Sequence, residues 1–126
     1  MTSISDLIGK VLIEIRESDD ELLFTDSDEQ VYRMWHSQDC CESVYIESIV
    51  GDLEDLIGSP ICVAEEVTNS FSEGEPGKDE LKPLDEYDES YTWTFYKLAT
   101  IKGSVTIRWY GSSNGWYSER VDFEKI

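Results

Sequence analysis

Basic residues are scarce in this chain: ten Lys and Arg stand against 28 Asp and Glu, giving a formal net charge of −18 and a pI near 4.1. A field of that sign repels phosphate backbones and anionic bilayers. It argues against direct nucleic-acid or membrane binding and favours encounter with basic protein surfaces or cations. Cysteine is scarce too. Cys40, Cys41 and Cys62 are odd in number and two are adjacent, a poor disulfide framework that fits a reducing compartment. Apolar runs such as Val11-Leu12-Ile13 fall far short of the roughly 20 residues of a membrane span, and no basic and apolar leader follows Met1. The expectation is a cytoplasmic, unprocessed chain. No Gly-rich loop followed by Lys opens a helix, which excludes Walker-type nucleotide hydrolysis.

What is present is enough to build a core. Of 126 residues, 40% are hydrophobic and 12% aromatic, the material of one compact domain over residues 1–126. An internal repeat organises it. Asp6-Leu7-Ile8-Gly9-Lys10-Val11-Leu12 reads against Asp55-Leu56-Ile57-Gly58-Ser59-Pro60-Ile61, each a short helical turn closed by glycine and feeding a strand. Val31 to His36 reads against Val105 to Tyr110, which places Trp35 on Trp109, and Glu42 to Glu47 reads against Glu119 to Glu124. The expectation is an α+β, mostly β fold. It has about eight antiparallel strands and two short helices, from a duplicated helix-plus-four-strand unit (about 1–49 and 50–126) with pseudo-two-fold symmetry.

Strands are expected near Lys10–Glu17, Glu21–Thr25, Gln30–His36, Ser43–Glu47, Ile61–Val67, Tyr91–Thr100, Ser104–Tyr110 and Trp116–Phe123. Alternation puts Val31, Arg33 and Trp35 on one face and Tyr32, Met34 and His36 on the other. One segment, residues 68–90, breaks the repeat. It carries Glu73, Glu75, Asp79, Glu80, Asp85, Glu86, Asp88 and Glu89 against two lysines, with glycine and proline between them, so it cannot bury much apolar area and is expected as a flexible acidic surface loop. Such a loop is either an arm for a basic partner or a tolerated insertion.

Three constellations could carry chemistry. His36-Ser37-Gln38-Asp39-Cys40-Cys41-Glu42, at a hairpin end, concentrates ligands and acid–base groups, with His36, Asp39 and Glu42 as candidate binding residues. A zinc site on His36, Cys40 and Cys41 lacks a second ligand pair, and adjacent cysteines on an extended segment point to opposite faces. Metal and cofactor are therefore not expected. Arg108 to Ser118 offers Arg108, Trp109, Asn114, Trp116 and Tyr117, the stacking surfaces and hydrogen-bonding groups of a pocket for a planar or phosphorylated ligand; core packing is the competing explanation. Tyr91 to Tyr96 is large on both faces, which suits burial on both sides or a homodimer interface. With 28 acids, no carboxylate pair is singled out for acid–base catalysis by spacing.

On HSQDCCE (36–42), GDLEDLIG (51–58), WTFYKLAT (93–100) and RWYGSSNGWYS (108–118) the chain resembles a family of short uncharacterised proteins of bacteriophages and bacteria. The resemblance implies a phage-type accessory protein and assigns no catalytic residues. The expected function is a non-enzymatic anti-defence inhibitor that mimics nucleic acid on a basic host protein, a defence nuclease or regulator. The alternative is a small-ligand module that sequesters a nucleotide signal.

Overall fold

The computed structural model describes residues 2–72, 83–84 and 88–126. It contains eight strands: β1 Leu12–Ser18, β2 Glu21–Asp26, β3 Val31–Trp35, β4 Ser43–Val50, β5 Val63–Ser72, β6 Ser90–Thr100, β7 Gly103–Ser113 and β8 Asp122–Lys125. All pairings between them are antiparallel and form two four-stranded sheets, ordered β1-β2-β3-β8 and β4-β7-β6-β5. The first three strands of each half stay together, and the fourth crosses to the other sheet.

Period-two patterning decides which faces meet. Leu22 and Phe24 of β2, Tyr32 and Met34 of β3, Tyr96 and Leu98 of β6, and Val105, Ile107 and Trp109 of β7 all project into one shared core. The intervening residues remain half exposed. The Trp109 indole N–H lies 3.4 Å from Met34 Sδ, tying the two sheets across the interior. Buried Tyr32 reaches the equally buried Asp26 carboxylate at 3.2 Å, which meets the hydroxyl's need for a partner.

The expected helices are single 3-10 turns, Ile4–Leu7 and Leu53–Leu56. Four residues are too few to nucleate an α-helix, so burial of Ile4, Leu7 and Leu56 fixes these turns in place. The extended segments after them meet at the crossing. Ile8 bridges Ile61 and Leu12 bridges Ile57, while the Gly9 and Gly58 amides donate to Ile61 O and Leu12 O at 2.8 and 2.9 Å. Both glycines have φ near +90° (87° and 88°), a turn that other residues enter only at a cost.

The structure corrects three features of the expected pattern, the first being that residues 68–72, expected within the flexible acidic loop 68–90, continue β5 in register with β6. Trp109 points into the core at 1% exposure, whereas Trp35 faces outward beneath the Arg33 guanidinium, 4.2 Å from its ring centre. Trp35 therefore does not stand where Trp109 does. Met34 takes the inward place, opposite Phe123 of β8, as Trp109 stands opposite Ile46 of β4. The last strand starts at Asp122 rather than Trp116, because residues 114–121 form a loop.

Among the described residues no helix is long and apolar enough to cross a membrane.

Candidate functional site

Because β4 pairs with β7 so that Ser43 opposes Ser112, the loop entering β4 and the loop leaving β7 emerge side by side. Cys41, Ser43, Ser112, Ser113 and Asn114 line one surface cavity of about 340 Å³ together with Asp88 and Glu89, the last loop residues before β6. Neither loop closes the expected hairpin, since each carries the chain from one sheet to the other, and both share one end of the molecule with the foot of the acidic segment.

The 36–42 loop is organised by a buried carboxylate. Glu42 is 4% exposed and accepts from Asp39 N at 2.8 Å, Cys40 N at 2.9 Å, Gln38 Nε2 at 3.2 Å and His36 Nε2 at 2.8 Å. Burial by itself pushes a carboxyl up. The Cys40 and Asp39 amides and then His36 outweigh it and hold Glu42 down to about 2. The other ring nitrogen of His36, Nδ1, lies 2.7 Å from the Arg120 carbonyl oxygen. Both neighbours of the ring are oxygen acceptors. His36 thus fastens its loop to the chain just before β8, and both its nitrogens are engaged.

The 111–121 loop has its own buried acid. Glu119, 9% exposed, accepts from Thr92 Oγ1 at 2.7 Å and Ser113 Oγ at 2.5 Å. A Cβ at Gly111 would stand 2.9 Å from Glu119 O and 3.1 Å from Val44 Cγ2, so only glycine lets the loop close here. Glu42, expected as a binding residue, is instead buried as the anchor of its own loop, and the burial of neither acid was visible in the sequence. Their one local sign is position: each stands two residues before an inward-facing valine, Val44 or Val121.

The cysteine geometry departs from expectation. Residues 40–41 form a bend rather than an extended segment, and Cys40 and Cys41 are joined as a disulfide. Cys62 is free and exposed, with its sulfur 3.3 Å from Ala99 O. Among the described residues no three His, Cys, Asp or Glu side chains are grouped to hold a metal.

The remaining candidate residues divide among different places. Trp109 is core, while Arg108 projects from the opposite face of β7, its guanidinium 5.2 Å from the Trp93 ring centre and 5.6 Å from that of Phe95. Tyr117 borders a hydroxyl-lined cleft of about 380 Å³ with Thr68, Thr92, Thr94 and Glu119. Asn114 and Trp116 stay at the loop tip, where Asn114 Oδ1 accepts from Trp116 N and the indole is 85% exposed. The five residues expected at a ligand pocket (Arg108, Trp109, Asn114, Trp116 and Tyr117) lie apart, in the core, on the outer face of β7, at the loop tip and beside the hydroxyl-lined cleft. Asp39 and Glu89 are exposed and Asp88 half buried, whereas Glu73, Glu75, Asp79, Glu80, Asp85 and Glu86 lie outside the described residues.

The aromatic strand is covered on both faces. Tyr91, Trp93 and Tyr110 form a second buried cluster on the outer side of β6 and β7. The Tyr110 hydroxyl accepts from Leu84 N at 3.1 Å and donates to Asp88 at 2.5 Å, and burial together with Asp88 pushes its ionisation up.

A family model described as a domain of unknown function (DUF7448) matches residues 5–123, and the chain belongs to that family. No curated protein and no solved structure matches it.

Proposed function

We propose that this member of the DUF7448 family is a non-enzymatic accessory protein of phage type that works in the cytoplasm. It occupies the basic, nucleic-acid-binding surface of a host defence protein. The observation that carries this reading is Trp116, 85% exposed at the tip of a loop whose base shares a cavity with Asp88 and Glu89. A large exposed indole costs solubility and suits a hot-spot anchor, because Trp inserted into a partner pocket is among the most energetic interface contacts. The surrounding charge supplies encounter. Of the described acidic residues only Asp26, Glu42 and Glu119 are buried, leaving the others on the surface as a substitute for a phosphate backbone.

The same reading includes the duplication. The matched order of the two sheets, the paired Ile8–Ile61 and Leu12–Ile57 bridges and the buried Glu42 and Glu119 support descent from one repeated unit with a pseudo-two-fold axis. Copies that agree in scaffold and differ in loops direct attention to residues 36–42 and 111–121. A homodimer is compatible with this reading and is decided by sedimentation.

Binding to purified basic bacterial nucleases and DNA-binding regulators, measured by biolayer interferometry, tests the proposal. A true partner loses at least about tenfold in affinity between about 50 and 500 mM salt as the charges are screened, and its bound DNA is displaced by this chain. Affinity that is flat with salt, or binding that leaves DNA in place, would overturn it.

A further inference from the structure

Glu42 gathers two backbone amides, Gln38 and His36 around one buried carboxylate, and what this framework holds out to solvent is the Cys40–Cys41 bend. The Gln38 amide also donates to Glu42 O at 2.7 Å and to Cys40 O at 3.2 Å, closing the loop from the other side. The corresponding acid of the neighbouring loop, Glu119, anchors its loop through Thr92 and Ser113 with no cysteine nearby in the chain. The two thiols are therefore the feature that sets the first loop apart. We propose that Cys40 and Cys41 are a reversible thiol–disulfide site, worked by small disulfides and thiols, whose state sets the shape of the loop beside Asp88 and Glu89.

Three observations favour exchange over an inert structural bridge. Both cysteines are exposed, so a small disulfide reaches either sulfur. Being adjacent, they close no chain loop and stabilise no distant contact, and so lack the usual structural reason for a disulfide. Cys41 lines the cavity that holds Asp88, Glu89 and Asn114, so a change at the bend is felt on that surface.

The chemistry balances with a low-molecular-weight disulfide as oxidant. The thiolate of one cysteine attacks the reagent, forming a mixed disulfide and releasing one thiolate. The neighbouring thiolate then attacks the protein-bound sulfur, closing the Cys40–Cys41 bond and releasing the second. Two electrons and two protons pass from the pair to the reagent, which leaves as two thiols. Exchange runs through the thiolate, so it accelerates as pH rises. Cys62, at the head of β5, takes no part.

Equilibration of the full chain in glutathione and glutathione disulfide mixtures, followed by alkylation and intact mass measurement, tests the couple without any partner. Three alkyl adducts are expected on the reduced chain and one, on Cys62, on the oxidised chain. The oxidised fraction over the reduced should rise tenfold for each tenfold rise in disulfide over thiol squared, as a two-electron intramolecular couple requires. Amide exchange across residues 38–42 should be faster in the reduced form, and a Cys40→Ser, Cys41→Ser double variant should show one exchange profile at every ratio. Adduct numbers that ignore the ratio, or glutathione adducts and cross-linked dimers that persist in a Cys62→Ser variant, would overturn the site. Identical exchange in both states would overturn its effect on the loop. Failure of the partner reading would leave both measurements unchanged.

Discussion

Trp109 and Trp116 are seven residues apart in one strand-and-loop segment, yet replacing each by alanine should do opposite things. Trp109 is 1% exposed. Removing about 250 Å² of buried indole forfeits at most about 6 kcal/mol by area, and measured truncations of this kind cost about 3–5 kcal/mol. Trp116 is 85% exposed, so only about 40 Å² is at stake, or about 1 kcal/mol at most. Thermal and urea melts followed by far-UV circular dichroism should therefore show Trp109→Ala melting about 10–20 °C lower and Trp116→Ala within about 4 °C of the parent. Should Trp109→Ala fail to fold, Trp109→Phe, which keeps most of the volume, gives a smaller loss in the same direction. Binding inverts the order. Trp116→Ala should weaken the basic partner by about 2 kcal/mol, about 30-fold in Kd, while Trp109→Phe leaves Kd alone. A Trp116→Ala protein that melts as low as the core variant would show that the loop tip is packed. A Kd unchanged by Trp116→Ala would remove the anchor.

Other perturbations separate parts of the same scaffold. Glu42 ionises more readily in the folded chain than in the unfolded one, so its contribution is present above about pH 4.5 and is lost as the pH falls towards about 2. Amide exchange at Asp39 and Cys40 should rise across that window, and Glu42→Gln should flatten the dependence. Gly111→Ala drives a Cβ against Glu119 and Val44 and should cost about 1–3 kcal/mol in urea denaturation. Gly9→Ala meets nothing within 4 Å and should cost only the about 1–2 kcal/mol of its backbone conformation.

Much of the β architecture was legible because alternation of apolar and polar residues is a local signal. Leu22 and Phe24, Tyr32 and Met34, and Val105 and Ile107 declare their inward face within five residues. The equivalence of tryptophans was misleading for the same reason: residue identity matched at Trp35 and Trp109 while the face did not, and a one-residue offset reverses every side chain. The two short turns carry helix-like signals but are too short to be helices, and their position depends on burial that no local window reveals. Of the site, the loops were visible as Asp39-Cys40-Cys41 and Ser113-Asn114-Gly115. Glu42 was visible as a polar group of its loop and as the counterpart of Glu119, but the anchoring role of the two acids was not, since their burial depends on partners elsewhere in the chain, such as Arg120, which meets His36 beside Glu42, and Thr92, which donates to Glu119.

The crossing of the fourth strands has a consequence for how the chain reaches this state. Among the described residues β4 pairs with β7 alone and β8 with β3 alone, so each half completes the other's sheet. Residues 1–50 by themselves hold neither the strand that covers the edge of β3 nor the strand that pairs with β4, so a chain cut after β4 should fail to assemble either sheet in full. Exchange of β8 between two chains would satisfy both edges, so a swapped dimer is the misassembly to look for in refolded protein by sedimentation.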